Sequence, residues 1–156
     1  MASFLSRVYD RAVQAIKKSS ALEIYTDGSS KKGIGSWAFV ISQPGKRLIE
    51  SSGCVRRAGS NVMEFRAAIE ALSSIPLSSK VTLFSDSRIL IDAMKSGDGP
   101  VVYRAQIEIL MRLTENRTVA WRWIKGHNAN TLNERCDELC TLARSPKEVK
   151  HGGTTP

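Results

Sequence analysis

Hydrophobic residues change their spacing once along the chain, and the change separates a strand-rich part from a helix-rich part. Residues 22–27 alternate apolar and polar side chains, residues 37–41 are rich in strand-forming types, and residues 47–55 form a weaker third run. Short segments with Gly or Pro separate the three runs. The pattern predicts three antiparallel strands joined by short turns.

From residue 62 onward, apolar residues recur mainly at helical spacing. This spacing predicts helices over residues 62–74, around 89–93, through 107–113 and over 132–144, with strands at 81–85 and 119–124. The strand–helix–strand connections are expected to be right-handed crossovers. We therefore predict an α/β fold with a five-stranded mixed sheet flanked by helices on both faces.

Two segments flank this predicted domain of residues 21–144. Residues 4–18 carry apolar side chains at helical spacing with Arg and Lys between them, which predicts a basic amphipathic helix or extension over residues 1–20. This extension either packs on the core or offers a cationic surface to a partner. Residues 145–156 are polar and hold two Gly and two Pro, so we expect a disordered tail.

Composition narrows the class of protein. A chain of 156 residues with 42% hydrophobic content fits one globular domain, and a formal charge of +8 favours a polyanionic partner without proving one. The three cysteines, Cys54, Cys136 and Cys140, form no CxxC pair, which argues against a zinc site or a disulfide framework. No apolar run approaches the ~20 residues of a membrane span. We expect a soluble, cytoplasmic protein with no membrane partner.

Four carboxylates stand where packing alone does not require them. Asp27 ends the first strand run, Asp86 follows the strand at 81–85, Glu64 opens the first central helix, and Asp137 lies in the last helix. Ligands of α/β sheets gather at the carboxyl ends of strands. Hard oxygen donors select Mg²⁺ or Mn²⁺, and phosphodiester hydrolysis by two such ions requires several carboxylates to hold them ~3.5–4 Å apart.

Each acid also has a purely structural interpretation. Asp27 can be a turn former, and Asp86 can be the N-cap of the following helix. Segments 61–64 and 131–134 both have the sequence pattern of a capping box, and Asp137 can lie on a solvated helix face. The sequence alone leaves open whether the four carboxylates converge in space.

Five short blocks, taken in order, resemble those of type 1 ribonuclease H. They are YTDGS at 25–29, NVME at 61–64, LFSDS at 83–87, WIKGH at 123–127 and NERCDEL at 133–139. Their order and spacing fit over about residues 22–144. The resemblance implies the ribonuclease H-like fold and an endonuclease that hydrolyses the RNA strand of RNA–DNA hybrids. It further implies a two-metal-ion mechanism that leaves 3′-hydroxyl and 5′-phosphate ends.

The resemblance also implies a role for each matching residue. The metal-binding and catalytic carboxylates would be Asp27, Glu64, Asp86 and Asp137, holding two Mg²⁺ ions with Mn²⁺ as a substitute. His127 matches a mobile histidine that moves protons or helps product leave, although a solvated loop histidine is the alternative. The residues expected to contact the hybrid are Gly28, Ser29, Ser60, Asn61, Ser87, Lys125 and Asn133.

The sequence departs from the family's pattern at three places. The segment after Asp27 is shorter than the glycine-rich loop of many relatives, and residues 98–101 are short where bacterial relatives insert a basic helix and loop that grips the duplex. Gly59 and Ser60 replace a more usual Thr-Asn, which leaves Ser60 as the single hydroxyl of a DNA-phosphate pocket. Either the basic segment 1–20 or a partner protein would replace this missing grip, and we predict that segment 1–20 does so.

Two other functions stay open at this point. The first is a hybrid- or duplex-binding module that has lost catalysis, against which the retained carboxylates and His127 argue. The second is a related metal-dependent strand-transfer domain, which fits the loop of His127 and the block at 133–139 poorly. A reaction on labelled substrates would separate both from a ribonuclease.

Overall fold

The computed structural model describes residues 21–43, 46–127 and 129–145. The predicted helix over residues 1–20 lies outside these residues, as does all of the predicted tail beyond residue 145. The elements are β1 (Leu22–Lys31), β2 (Ile34–Gln43), β3 (Lys46–Arg56), α1 (Ser60–Ser73), β4 (Lys80–Ser85), α2 (Arg88–Ser96), a 3-10 helix (Val101–Tyr103), α3 (Arg104–Thr114), β5 (Thr118–Trp123) and α4 (Thr131–Arg144). Within the described residues the order of strands and α-helices is the predicted one, and the 3-10 helix was not anticipated.

The five strands form one mixed sheet in the order β3-β2-β1-β4-β5. The pairs β1–β2 and β2–β3 are antiparallel, whereas β1–β4 and β4–β5 are parallel. This arrangement confirms the predicted fold class. Tyr25 on β1 pairs with Phe84 on β4, so Asp27 and Asp86 each follow this pair by two residues. The parallel pairing of two strands therefore brings two of the four acids to one end of the sheet.

Helices cover the two faces of the sheet unequally. On one face α1 packs into the larger hydrophobic core, in which Phe65 and Leu72 are fully buried. On the other face α4 closes a smaller cluster that includes Tyr25 and the thiols of Cys136 and Cys140. A fully buried Leu or Phe contributes about 1.5–3 kcal/mol, so α1 is held mainly by apolar packing.

Strand β1 is longer than the alternating pattern predicted. It continues past Asp27 to Lys31, and a two-residue turn at Lys32 and Gly33 leads directly into β2. Both turn residues have left-handed φ angles, 51° and 75°, which match the twist of a tight hairpin. The prediction that the first strand ends at Asp27 is thus wrong, and so is the interpretation of Asp27 as a turn former.

The helix starts differ from the capping boxes that the sequence suggested. Helix α1 has Gly59 as its N-cap with no side-chain cap, and Asn61 lies inside the first turn. The hydroxyl of Ser87, not the carboxylate of Asp86, caps α2. The N-cap of α4 is Asn130, whose side-chain oxygen accepts hydrogen bonds from the backbone N–H groups of the next turn. The capping roles that the sequence suggested for Asn61 and Asp86 are therefore wrong.

The cysteines and the hydropathy of the helices were both considered in the sequence, and the structure describes each. The three cysteines are free; Cys136 and Cys140 are buried, whereas Cys54 is exposed. Among the described residues, no helix combines the length and the apolar character that crossing a membrane requires.

Candidate active site

Three of the four predicted carboxylates meet at one end of the sheet. Asp27 comes from β1, Glu64 from the first turns of α1 and Asp86 from the residue after β4. One carboxylate oxygen of each lies within 4.8 Å of the others. Such a group of hard oxygen donors has the size and chemistry to hold a divalent cation.

Gly28 is the reason that Glu64 lies so close to Asp27. A Cβ atom at Gly28 would lie 2.2 Å from the backbone nitrogen of Glu64 and 2.4 Å from the carbonyl carbon of Met63. Since these are backbone atoms, only glycine allows α1 to rest directly on β1. Gly28 is buried beneath the helix, so its expected contact with the hybrid stays a prediction.

Burial and mutual repulsion shape the electrostatics of this cluster. The residues Asp27 and Glu64 are only 8% and 7% exposed. Burial, aided by the charges of Asp86 and Asp137, raises the pKa of Asp27 to about 6. Burial also raises the pKa of Glu64 well above its usual value, with the charges of Asp27 and Asp86 adding to the effect. Without a cation, the cluster therefore favours partial protonation.

One atom of the cluster lacks a partner within the protein. The Oε2 atom of Glu64 is buried and has no hydrogen-bond partner among residues 21–43, 46–127 and 129–145. The nearby backbone N–H of Gly28 and side chain of Ser85 partly offset the rise in the pKa of Glu64, yet the Oε2 atom stays without a partner. A buried carboxylate oxygen without a donor is what a bound cation would satisfy, so the donor set fits a divalent metal.

Asp137 and His127 border the cluster on its open side. Asp137 is exposed on α4 and is not among the three acids within 4.8 Å, yet its charge raises the pKa values of Asp27 and Asp86. His127 is exposed, with a left-handed φ of 54°. Burial raises the pKa of Asp86, and the nearby His127 opposes this rise. Asp137 and His127 thus lie within electrostatic reach of the three acids, and their roles in the site stay a prediction.

The loop after β5 also fixes Asp86 from outside the sheet. A Cβ at Gly126 would lie 2.6 Å from the Oδ2 atom of Asp86, so the loop backbone packs against the carboxylate. The indole N–H of Trp123 donates a 3.0 Å hydrogen bond to the Asp86 carbonyl, and the guanidinium of Arg88 lies 3.6 Å over the indole ring. Sequence reasoning did not assign these supporting roles, although Trp123 and Gly126 stand inside the block at 123–127.

The residues expected to contact the hybrid fall into three environments. Ser60, Asn61 and Lys125 are exposed. The hydroxyls of Ser29 and Ser87 make internal contacts, the first with Arg144 of α4 and the second as the cap of α2. Asn133 is buried, and its Oδ1 atom has no partner within the described part of the chain. Of these residues, Ser60, Asn61 and Lys125 can contact a large ligand directly. Ser29, Ser87 and Asn133 would first have to give up their internal contacts or their burial.

Curated relatives match nearly the whole chain. The RNase H family model matches residues 19–145. A ribonuclease H of Geotalea uraniireducens is 36% identical over 146 residues, which cover 84% of this chain and 97% of the relative. A ribonuclease HI of Synechocystis sp. is 32% identical over 155 residues, covering 85% of this chain and 94% of the relative.

Solved structures share the fold at lower identity. The RNase H1 of the halophilic archaeon Halobacterium salinarum has a TM-score of 0.69 at 20% identity, covering 79% of this chain and 96% of that one. LC11-RNase H1 in complex with an RNA/DNA hybrid has a TM-score of 0.64 at 20% identity, covering 80% and 99%. Together, the family match, the relatives and the shared fold show that this chain belongs to the RNase H family and is a ribonuclease H hydrolase.

Proposed function

We propose that this ribonuclease H cleaves the RNA strand of RNA–DNA hybrids by a two-metal-ion mechanism, leaving 3′-hydroxyl and 5′-phosphate ends. The observation that carries the proposal is the meeting of the Asp27, Glu64 and Asp86 carboxylates within 4.8 Å at the end of the sheet. The hybrid as substrate is supported by family membership and by the related LC11-RNase H1, which was solved with such a hybrid.

In this proposal Asp27, Glu64, Asp86 and Asp137 hold two Mg²⁺ ions, which Mn²⁺ can replace. When bound, the two ions would help to activate water and to stabilise the leaving 3′-oxygen. The unpartnered Oε2 atom of Glu64 and the raised pKa values of Asp27 and Asp86 support this donor set. Asp137 is the acid most open to solvent, so we assign it to the side of the site that faces the substrate.

The protein's own residues would orient the hybrid and move protons. His127 is exposed beside Asp86, where its imidazole can accept a proton or transfer one to solvent. Ser60 and Asn61 lie exposed in the first turn of α1, the helix that carries Glu64, and are suited to contact the hybrid's grooves. The net charge of +8 favours the phosphate backbone in general.

A cleavage assay with Mg²⁺ on labelled hybrid, RNA duplex and DNA duplex tests this proposal. We expect cleavage of the hybrid's RNA strand alone. Asp27→Asn and Asp86→Asn should abolish cleavage, because each removes a negative charge from the metal site without adding bulk. Asp92→Asn, an exposed carboxylate on α2, is the matched control and should keep the wild-type rate.

Each contrary result points to a specific error. Near-normal rates in Asp27→Asn or Asp86→Asn at saturating Mg²⁺ would remove that residue from the metal site. Binding of the hybrid without cleavage would favour the binding module, and strand joining on DNA would favour the strand-transfer domain. Products that end in a 3′-phosphate or a cyclic phosphate would show attack by the RNA 2′-hydroxyl instead of water, which contradicts the proposed mechanism.

A further inference from the structure

Three side chains of α4 contact β1 in matching steps. The Cys136 thiol donates to the Tyr25 carbonyl at 3.3 Å, and the Cys140 thiol donates to the Asp27 carbonyl at 3.5 Å. One helical turn further on, the guanidinium of Arg144 donates to the Ser29 hydroxyl. Four helix residues advance about 6 Å and two strand residues about 6.7 Å, so the helix and strand stay in step. We call these contacts the α4–β1 ladder.

The last contact of the ladder differs in strength from the first two. Thiols are weak hydrogen-bond donors, whereas the guanidinium of Arg144 is charged and therefore forms stronger hydrogen bonds. The same nitrogen of Arg144 also donates to Ser36, whose hydroxyl lies 3.1 Å from that of Ser29 across the β1–β2 pair. Arg144 thus ties the C-terminal end of α4 to two strands at once.

The ladder bears on the active site because α4 carries Asp137. This exposed acid is separate from the compact group of three carboxylates, so its distance from Asp27 depends on where α4 lies. We propose that Arg144 is a positioning residue that fixes α4 against β1 and thereby sets the distance between Asp137 and Asp27. This inference rests on the proposed function, since it takes Asp137 as a metal ligand.

Another arginine of the same helix provides a matched control. Arg135 joins α4 to the sheet through a 2.8 Å ion pair with Glu50 on β3, and it also pairs with Glu138 of its own helix. Both arginines therefore tie α4 to the sheet through charged hydrogen bonds. Only Arg144 is tied to the strand that carries Asp27.

A purely electrostatic role and a positioning role of Arg144 predict opposite effects of its removal on cation binding. If Arg144 acted only as a nearby positive charge, Arg144→Met would strengthen cation binding, because one source of repulsion would be lost. If it positions Asp137, the same change weakens cation binding. Ser36→Ala removes one acceptor and no charge, so a positioning role predicts a smaller loss in the same direction.

The experiment measures the Mn²⁺ concentration for half-maximal cleavage of the hybrid and the rise in Tm that Mn²⁺ causes. We expect Arg144→Met to need about tenfold more Mn²⁺, as outer-shell changes commonly do. Ser36→Ala should need moderately more, and Arg135→Met should match the wild type even where its Tm without metal falls. In an Asp137→Asn background, Arg144→Met should cause no further change.

Several outcomes would overturn the inference. These are unchanged or tighter Mn²⁺ binding in Arg144→Met, equal Mn²⁺ effects of the two arginine variants, and additive effects of Arg144→Met and Asp137→Asn. An Mn²⁺ requirement that Asp137→Asn leaves unchanged would also overturn it. If Arg144→Met does not fold, Ser36→Ala and Arg144→Lys decide, because both keep the net charge. A wild-type protein that does not cleave the hybrid refutes the proposed function, while the Tm rise with Mn²⁺ still tests Arg144.

Discussion

Glu64 and Asp137 approach the same strand from opposite faces of the sheet, yet their surroundings are opposite. Glu64 is 7% exposed, and its helix rests on Gly28 with no space between the backbones. Asp137 is exposed on a helix that polar contacts help to fasten to β1. The site therefore has a packed half, formed by α1 and β1, and an open half, formed by α4 and the loop of His127.

The two halves of the site affect the stability of the folded protein differently. In the packed half, carboxylates are buried beside one another, which raises the pKa values of Asp27 and Glu64 and destabilises their charged forms. In the open half, Asp137 and His127 are exposed to solvent, which screens charge. Changes in the packed half should thus alter stability, and changes in the open half should alter metal use and rate.

The largest expected effect comes from Gly28→Ala in the packed half. The new methyl group would overlap the backbone of Glu64, which cannot move without shifting all of α1. We expect the free energy of unfolding in urea to fall by about 3 kcal/mol or more, the upper end for overpacking. Gly59→Ala is the control: no atom lies within 4 Å of its added Cβ, and its loss should stay below about 1 kcal/mol. Equal losses would contradict the packed half as described.

The next effect concerns the charge that the packed half buries. Because the pKa of Asp27 is raised to about 6 in the folded protein, the folded state binds its proton more tightly than the unfolded state does. This contribution to stability is present below the unfolded pKa of about 4 and is lost as the pH rises through about 6. In EDTA, Asp27→Asn should therefore be more stable than the wild type at pH 7, by roughly 2–3 kcal/mol.

Changes in pH and in Mg²⁺ concentration provide the controls for the comparison of Asp27→Asn with the wild type. The stability difference between Asp27→Asn and the wild type should shrink toward pH 4, where both side chains are neutral. Saturating Mg²⁺ should stabilise the wild type and remove or reverse the difference at pH 7. Urea titrations at pH 4, 5, 6 and 7 that gave one constant difference would show that Asp27 is not held in a repulsive cluster.

The sequence was sufficient for the order of strands and helices and for placing Asp86 at the ligand-binding end of the sheet, but it left open whether the acids meet there. Asp86 follows a short apolar strand, and the position after a buried parallel strand lies at the ligand-binding edge of such a sheet. Glu64 was found through its block in the resemblance. The inference on Asp86 needs only local sequence and the general geometry of α/β sheets, whereas the inference on Glu64 needs the family resemblance.

Contacts between distant segments were beyond the reach of the sequence. Nothing near Gly28 shows that α1 will lie on it, because the atoms it avoids belong to Met63 and Glu64. Ser29 was expected to face the hybrid, but its hydroxyl accepts a hydrogen bond from Arg144, more than a hundred residues away. The packing of Gly126 on the Asp86 carboxylate is a third contact of this kind. Each depends on how two finished elements dock, which no local pattern encodes.

The smallest expected effect is that of His127 in the open half. His127 lies beside Asp86 and is exposed, so its removal should leave the free energy of unfolding nearly unchanged. Because the metal ions carry most of the proposed chemistry, we expect His127→Ala to lower kcat by about ten- to a hundredfold without abolishing cleavage.

His127→Asn is the companion variant: residue 127 has a left-handed φ, which Asn tolerates better than Ala. Similar rates for the two variants assign the loss to the imidazole, whereas recovery in the Asn variant assigns it to the loop backbone. Single-turnover measurements then separate proton transfer from product release, since only the former slows the first cleavage. A folded but fully inactive His127→Asn protein would contradict an auxiliary role, and a wild-type rate would remove the histidine from the mechanism.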